Sequence, residues 1–188
     1  MKSTMKVNES PSPRAAHAPS VTYRLKSILF GLVLAGSLWG SQCYAQSTDE
    51  QQVKEVIAQL FRGMELGDSA MARKCFMPQV TVATVKASKE GHPVISRENG
   101  VAGFLKAIGT PHTATWYEET WNVRISIDGA LAQVWCDYAF YLGNKFSHCG
   151  VDAFQLFKDG GAWKIFHLAD TRRADCDIPA SIVKKHAQ

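Results

Sequence analysis

The strongest constraint on the fold is a change of hydrophobic period near residue 115. Before it, apolar residues recur every three or four positions; after it, they alternate with polar residues. Alternation gives a strand one apolar and one polar face, as in an antiparallel sheet covered on one side. The alternating apolar positions are Tyr117, Trp121, Val123, Ile125 and Ile127.

A tight hairpin is predicted directly after this strand, at Asp128-Gly129. That turn places Glu119 opposite Tyr138. It also places Trp121 opposite Cys136. The apolar face then continues along the next strand, at Ala132, Val134, Cys136, Tyr138 and Phe140.

The second hairpin turns at residues 143–145, and its loop length decides which residues face inward. A three-residue loop places Phe154 opposite Val134, whereas a two-residue loop would place Ala153 there. We adopt the three-residue loop because it buries the larger side chain. In that register the polar residues on the apolar face are His148, opposite Phe140, and Asp152, opposite Cys136.

Helices are predicted before residue 115. The capping box from Ser47 to Glu50 begins the first helix, and Gly67 ends it. A short second helix follows to Phe76, and a third runs over 98–108, with a strand over 80–85 between them. A last hairpin turns at residues 160–161. The order predicts an α+β domain, in which three N-terminal helices pack on a curved antiparallel sheet.

Residues 1–45 read as an export signal with an extended leader. Arg24 and Lys26 precede a 13-residue apolar run, and Cys43-Tyr44-Ala45 offers small residues at a cleavage site. An uncleaved membrane anchor is the alternative, although the run is short for a bilayer span. We therefore expect a periplasmic or secreted protein with no stable membrane span after cleavage. The domain then occupies 46–173, and 174–188 form a loose tail.

Charge argues against nucleic acid as a partner. The whole formal net charge of +4 lies in residues 1–45. The remainder of the chain has equal numbers of basic and acidic side chains. A nucleic-acid-binding domain typically has a clustered basic face.

Export would permit disulfides. The four cysteines after residue 45 allow three complete pairings, which spacing does not rank. Cys75 lies in an apolar helical stretch and is expected to pack as a small hydrophobe. Cys149 and Cys176 fall near the open end of one predicted hairpin and are the preferred pair.

The order of elements resembles the nuclear-transport-factor-2-like superfamily, and within it the SnoaL-like and lumazine-binding groups. The resemblance covers about residues 49–173 and is carried by four segments: Leu66-Gly67-Asp68, Ser147 to Asp152, Trp163-Lys164-Ile165 and Asp170 to Arg173. It implies a cone-shaped domain that encloses a pocket, often as a homodimer across the outer sheet face. Members include isomerases, dehydratases, cyclases and proteins that only bind, so the fold alone does not select a function.

Several polar residues on the apolar face are candidates for chemistry. A carboxyl on an apolar wall has a raised pKa and can act as general acid or base, which makes Asp152 and Glu119 candidates, with His148 as a further proton carrier. Tyr138 could donate a hydrogen bond to a substrate carbonyl. Asp152 also resembles the pocket carboxyl of ketosteroid-isomerase-like members, whose second carboxylate is replaced here by Thr81 and Thr84. Expected ligand contacts are Trp121, Cys136, Phe140, Phe154 and His167.

The sequence leaves the function open between two classes. The first is a pocket protein that binds a small organic molecule, with or without cofactor-independent acid/base activity of the isomerase or dehydratase type. The second is a non-catalytic dimerisation or interaction module, in which the carboxyls belong to a satisfied core network. Asp170 with Arg172 or Arg173 is most simply an ion pair at the rim or in a dimer interface.

No metal or cofactor is expected from the sequence. His148 and Cys149 are neighbours on a strand and point to opposite faces, so they do not share a metal ion. The chain has no phosphate-binding loop and no dinucleotide fingerprint.

Overall fold

The structure, a computed structural model, describes the backbone of residues 32–187 and the side chains of residues 49–187. It divides into two units, residues 1–39 and residues 40–188, and the description below concerns the second. The elements are α1 (Leu32–Leu66), α2 (Ser69–Arg73), β1 (Phe76–Ala87), β2 (Pro93–Asn99), α3 (Ala102–Gly109), β3 (Trp116–Asp128), β4 (Leu131–Leu142), β5 (Lys145–Asp159), β6 (Ala162–Arg172) and α4 (Ala180–Lys185).

The leader proposed for residues 1–45 lies largely outside the described residues. Within the described part of the chain, no helix is both long enough and apolar enough to cross a bilayer. Helix α1 continues through the capping box, so the predicted start at Ser47 was wrong for the full chain. Asp49 instead accepts hydrogen bonds from Lys158 Nζ at 2.5 Å and Trp163 Nε1 at 3.3 Å, which ties α1 to the last hairpin.

The six strands form one sheet in the order β2-β1-β6-β5-β4-β3. Every neighbouring pair is antiparallel except β1 and β6, which are parallel. This confirms the predicted α+β class. The apolar stripe of α1 packs on the sheet, with Val53, Leu60 and Met64 buried against residues such as Phe154. Phe61 makes an edge-to-face contact with Phe154, at a centroid distance of 6.2 Å.

The first hairpin differs from its prediction. The turn is Gly129-Ala130, and a bulge between Trp121 and Arg124 adds one residue to β3. Asn122, at the bulge, has a positive φ of 51° and donates from Nδ2 to Asp137 Oδ2 at 2.7 Å. As a result Glu119 pairs with Ala139, not with Tyr138.

The bulge reverses the two faces of the first half of β3. A side-chain period of two means that one extra residue exchanges the inner, helix-facing side for the outer side. Trp116 and Glu118 therefore face inward. Glu119 and Trp121 face outward, so their predicted place in a pocket was wrong. Trp121 pairs with Asp137, not with Cys136.

The second hairpin has the predicted register, reached by a different turn. Phe154 pairs with Val134, and Asp152 pairs with Cys136. His148 pairs with Phe140, as predicted. The loop has only two residues, 143 and 144, where three were predicted. A bulge at Ser147 on β5 adds one residue and so restores the predicted register beyond it.

The third hairpin turns at Gly160-Gly161, as predicted, and then carries a bulge of its own. Ile165 pairs with Leu156, but His167 pairs with Gln155, so Phe166 is the extra residue. His167 is thereby displaced from the inner face. Its Nδ1 lies 2.6 Å from Thr81 Oγ1, and it does not line the cavity described below.

The segment after residue 173 is docked, contrary to the expected loose tail. Cys149 and Cys176 form the disulfide that the sequence favoured. His186 is buried, stacks on Tyr141 at a centroid distance of 3.9 Å, and places Nε2 2.9 Å from Glu119 Oε1. The tail thus covers a second apolar cluster on the outer face of the sheet, made of Tyr117, Trp121, Ala139, Tyr141, Phe146, Cys149, Cys176, Ile178 and Ile182.

Candidate functional site

A cavity of about 400 Å³ lies between the inner face of the sheet and helices α1 and α3. Its helical wall is apolar, with Leu60, Phe61 and Met64 from α1 and Phe104 and Ala107 from α3. Its sheet wall mixes apolar and charged side chains. They are Val82, Thr84, Glu98, Trp116, Glu118, Tyr138, Phe140, His148, Asp152, Phe154, Leu168, Asp170 and Arg172.

The sheet wall is organised by cross-strand register into an apolar row and a carboxyl row. Val82, Leu168 and Phe154 are aligned on β1, β6 and β5. Two residues further along, Thr84, Asp170 and Asp152 form the next row. The carboxyls therefore lie on the same inward face as the large apolar side chains, two positions from them.

Asp170 has two donors, Thr84 and Arg172, and lies near a third polar group, the Tyr138 hydroxyl. Its Oδ1 accepts from Thr84 Oγ1 at 2.5 Å. Its Oδ2 accepts from Arg172 Nε at 2.9 Å and lies 3.3 Å from the Tyr138 hydroxyl. The expected ion pair with Arg172 is present, but it lines the cavity. Sequence reasoning missed this placement because the bulge at Phe166 had not been anticipated.

Asp152 is the least satisfied polar group in the cavity wall. The residue is 4% exposed, and its Oδ2 has no hydrogen-bond partner among the described residues. Burial raises the pKa of this carboxyl well above its ordinary value, the charge of Asp170 raises it further, and Arg172 opposes the shift. Asp152 is therefore a carboxyl whose burial favours the neutral form, and one of its oxygens is free to engage a ligand.

Glu118 adds a third carboxyl. Burial raises the pKa of this carboxyl well above its ordinary value, and the negative charges of Asp152 and Asp170 raise it further. The positive charge of Arg172 opposes the shift. The side chain keeps some accessible surface because it faces the cavity itself. The sequence prediction chose its neighbour Glu119. The bulge that separates the two predictions contains Asn122, which has a positive φ of 51°, a conformation that Asn adopts more often than most residues.

Glu119 has a different environment on the outer face. Burial raises the pKa of its carboxyl, but hydrogen bonds from Lys185 and His186 outweigh that and lower it. The Lys185 Nζ and Glu119 Oε1 atoms are 2.5 Å apart. Glu119 therefore fastens the tail and takes no part in the cavity.

His148 lines the cavity next to aromatic rings. Its ring centroid lies 5.1 Å from that of Phe140 and 5.8 Å from that of Tyr138. Burial lowers the pKa of this imidazole, and the positive charge of Arg172 lowers it further, against an opposing effect of Asp170. A neutral imidazole can accept a proton, so His148 is suited to act as a base.

Tyr138 lines the cavity, but its hydroxyl is already engaged. It donates to the Thr171 carbonyl oxygen at 2.9 Å. Burial raises the pKa of the phenol, so it stays protonated. The contact requires a glycine at position 150, because a Cβ there would lie 1.8 Å from the Thr171 oxygen. Tyr138 thus supports the Asp170 region, and its expected role as a free donor is not met by this geometry.

The structure brings together five of the nine predicted site residues. Asp152, His148, Tyr138, Phe140 and Phe154 line the cavity. Cys136 is buried in the core beneath it and does not line it. Glu119, Trp121 and His167 lie elsewhere. The residues that the sequence missed are Thr84, Glu98, Glu118, Asp170 and Arg172.

Among the described residues, no group of three or more His, Cys, Asp or Glu side chains is arranged to hold a metal ion. The carboxyls of the cavity are instead coupled to one another and to Arg172, as the shifts of Asp152 and Glu118 show. The arrangement offers a carboxyl of raised pKa, an imidazole of lowered pKa and the Asp170–Arg172 ion pair in one apolar cavity.

Solved structures share this fold. A protein of the NTF2-like (nuclear-transport-factor-2-like) class, of unknown function, from Shewanella baltica is 18% identical, with a TM-score of 0.53 over 69% of this chain and 97% of that one. A protein described as a "putative dehydratase from the NTF2-like family", from Streptomyces avermitilis, is 17% identical, with a TM-score of 0.53 over 69% of this chain and 99% of that one. A scytalone dehydratase homologue from Novosphingobium aromaticivorans is 12% identical, with a TM-score of 0.55 over 72% and 92%. At these identities the likeness shows the fold alone.

Curated proteins provide no match to this chain. The family model described as "Putative lumazine-binding" matches residues 48–167, which is more than half of the chain and includes α2, α3 and the strands that carry Glu118 and Asp152. The chain therefore belongs to the family described as "Putative lumazine-binding".

Proposed function

We propose that this chain is an exported protein that binds a small, partly apolar organic molecule in the cavity and performs cofactor-independent acid/base chemistry on it. One observation carries the proposal: Asp152 presents a buried carboxyl with an unpartnered oxygen to an apolar cavity, and burial raises the pKa of that carboxyl. Burying such a group without a partner is costly, and a ligand acceptor at that oxygen would remove the cost.

The cavity is suited to a compact ring system. Its volume falls within the range usual for small-molecule sites, which are mostly apolar with a few placed polar groups. The family description names lumazine, a fused heteroaromatic ring system with carbonyl acceptors. Such a molecule could stack against Phe154 and Phe140 while a carbonyl oxygen accepts the proton of Asp152.

The proposed chemistry divides the proton transfers between two groups. Asp152 donates a proton to an oxygen of the ligand, and His148 accepts a proton from carbon or oxygen at another position. Glu118, whose pKa is also raised, is a second proton donor. Isomerisation and dehydration both need an acid and a base of this kind, and two solved structures of this fold bear dehydratase names.

Binding is tested by native mass spectrometry of the purified protein, followed by calorimetric titration with lumazine and with any molecule that copurifies. Ala107→Phe would fill the cavity from α3 and is expected to abolish binding while the fold is retained. Asp128→Asn, at the end of β3, removes an exposed carboxyl that does not line the cavity and should bind normally. Equal binding by the wild type and the Ala107→Phe variant would refute the assignment of the cavity.

Acid/base activity is tested by incubation of the bound molecule in D2O. The wild type should introduce deuterium at exchangeable carbon positions, read as a mass increase, and Asp152→Asn should slow this by about 100-fold or more, as loss of a general acid does. Exchange at the wild-type rate in Asp152→Asn would leave a binding protein without acid catalysis by this residue.

Export is supported by the sequence of residues 24–45 and by the Cys149–Cys176 disulfide, since disulfides persist in oxidising compartments. The test is N-terminal sequencing of the protein recovered from the periplasm of a bacterial host. The expected first residue is Gln46. A protein recovered only from the cytoplasm with residues 1–45 intact would contradict the proposal.

A second candidate function, dimerisation or protein interaction, is favoured by one feature of the outer face. Leu131 and Phe157 are cross-strand partners, and Trp135 is on the same two-strand region; all three large apolar side chains are exposed. Contiguous exposed apolar surface commonly marks an interface. Sedimentation analysis of the wild type and Trp135→Glu distinguishes the cases, because only a dimer through this face would dissociate.

A further inference from the structure

A second concave region adjoins the cavity at its outer end. It has a volume of about 600 Å³, and the side chains of His148 and Arg172 line both this region and the cavity. We call it the vestibule. Its lining residues are Val85, Lys86, Ala87, Gly91, Pro93, Ser147, His148, Thr171, Arg172, Arg173 and Ala174.

The vestibule is cationic. Three of its lining residues, Lys86, Arg172 and Arg173, carry permanent positive charge, and none of its lining residues is acidic. Among the described residues, the side chains of Lys86 and Arg173 have no hydrogen-bond or ion-pair partner. Arg172 uses only Nε, toward Asp170, so its two terminal nitrogens remain available.

The register of the sheet extends the cavity wall into this region. After the apolar row at Val82 and the carboxyl row at Thr84, the next inward position of β1 is Lys86, which pairs with Arg172 of β6. Polarity therefore rises in steps of two residues, from apolar to hydrogen-bonding acid to cation. A ligand that matches this wall has an apolar body and an anionic end.

We propose that the ligand of this cavity is an amphipathic organic anion, whose apolar body lies against Val82, Leu168 and Phe154 and whose carboxylate or phosphate lies in the vestibule, where Lys86, Arg172 and Arg173 supply positive charge. The inference rests on the proposed small-molecule function and specifies its substrate class. Guanidinium and ammonium groups form charge-assisted hydrogen bonds with such oxyanions, and guanidinium can bind them with two parallel bonds. The anionic end also fixes which part of the ligand reaches the carboxyl row.

Two dyes with the same aromatic body provide the test. 1-Anilinonaphthalene-8-sulfonate carries an anionic group, and N-phenyl-1-naphthylamine lacks it. We expect the wild type to bind the anionic dye more tightly, and Lys86→Gln combined with Arg173→Gln to weaken that binding roughly 5- to 10-fold, as expected for two partly exposed charges. Binding of the neutral dye should change less than twofold. Raising the salt concentration should weaken only the anionic dye.

The control is a variant with the same loss of charge outside the vestibule, Lys89→Gln combined with Lys184→Gln, which should bind both dyes as the wild type does. Both targeted vestibule residues are exposed and unpaired, so the folded state is expected to persist; circular dichroism and a thermal transition verify it. Displacement of the anionic dye by benzoate and by phenyl phosphate then tells which oxyanion is preferred, and benzyl alcohol serves as the neutral competitor.

The outcomes separate this inference from the function beneath it. The proposal of an anionic ligand is wrong if the wild type binds both dyes with equal affinity, or if the vestibule variant keeps the wild-type ratio of affinities. Either result would still support binding in the apolar cavity. If neither dye binds to the folded wild-type protein, both proposals are overturned.

Discussion

Replacing Asp152 by asparagine should flatten the dependence of stability on pH. In the wild type, the folded chain keeps the Asp152 proton at pH values where the unfolded chain has lost it, because the pKa is raised from its ordinary value of 3.8. Above that value the free energy of unfolding therefore falls as pH rises, until pH passes the folded-state pKa. Below it both states are protonated, and the group contributes no slope.

The magnitude follows from one proton. A single group that is protonated when folded and ionised when unfolded changes the free energy of unfolding by about 1.4 kcal/mol per pH unit. For each pH unit between the unfolded-state and folded-state pKa values of Asp152, the wild type should lose up to about 1.4 kcal/mol more than Asp152→Asn. The asparagine amide adds an offset that does not depend on pH. His148, whose lowered pKa gives a slope of opposite sign, is present in both proteins and cancels in the comparison.

Urea unfolding followed by tryptophan fluorescence, at half-unit steps from pH 4.5 to pH 7.5, measures this difference. Asp175→Asn serves as the matched control, because it removes an exposed carboxyl and should run parallel to the wild type. Parallel curves for the wild type and Asp152→Asn would refute the argument that Asp152 is held protonated by its burial. They would also remove the basis for its role as an acid.

Three further predictions concern the support of the site and the tail. Gly150→Ala should lower the free energy of unfolding by about 2–3 kcal/mol in urea, because the new methyl group overlaps the Thr171 carbonyl and must displace the strand. Reduction of the Cys149–Cys176 disulfide, whose residues are 27 apart, should cost about 3.5 kcal/mol by chain entropy, measured as the difference between oxidised and reduced protein. Glu119→Gln should cost less than about 1 kcal/mol at pH 7, and the cost should shrink as pH falls below the ordinary pKa of 4.5, because the lowered pKa contributes stability only while the carboxyl is ionised.

Each of these has a control and a contradicting result. Gly103→Ala on α3, where the nearest atom is the mobile end of Glu98, should be neutral or slightly stabilising. If Gly103→Ala lowered the free energy of unfolding as much as Gly150→Ala, the loss at Gly150 could not be attributed to overlap with the Thr171 carbonyl. Unchanged urea curves on reduction would show that the tail is held without its disulfide. A changed dye affinity in Glu119→Gln would contradict its place outside the cavity.

Periodicity predicted what local patterns can determine. The stripe from Val53 to Met64 identified the buried face of α1, and the Gly-rich turn at residues 160–161 identified the last hairpin. The register of β4 and β5 was also predictable, since one of the two candidates buried Phe154 and the other a smaller residue. In each case the decisive information lay within one element or one pair of strands.

The rest depended on single extra residues that no local pattern marks. The bulges near Asn122 and at Phe166 each exchanged the faces of half a strand, which removed Glu119 and His167 from the cavity and admitted Glu118 and Asp170. The pKa shifts arise from burial on the inner face and from charges on β3, β5 and β6, so they depend on three registers at once. An error in any one of them misplaces an acid.

The Asn122 bulge has a consequence for comparison with distant relatives. A deletion of one residue on either side of it would return Glu119 to the interior and expel Glu118, without altering the strand order. Two chains with the same architecture could therefore carry their acid in neighbouring alignment columns. Whether such chains share a function is better judged by superposing their inward-facing side chains than by aligning their sequences.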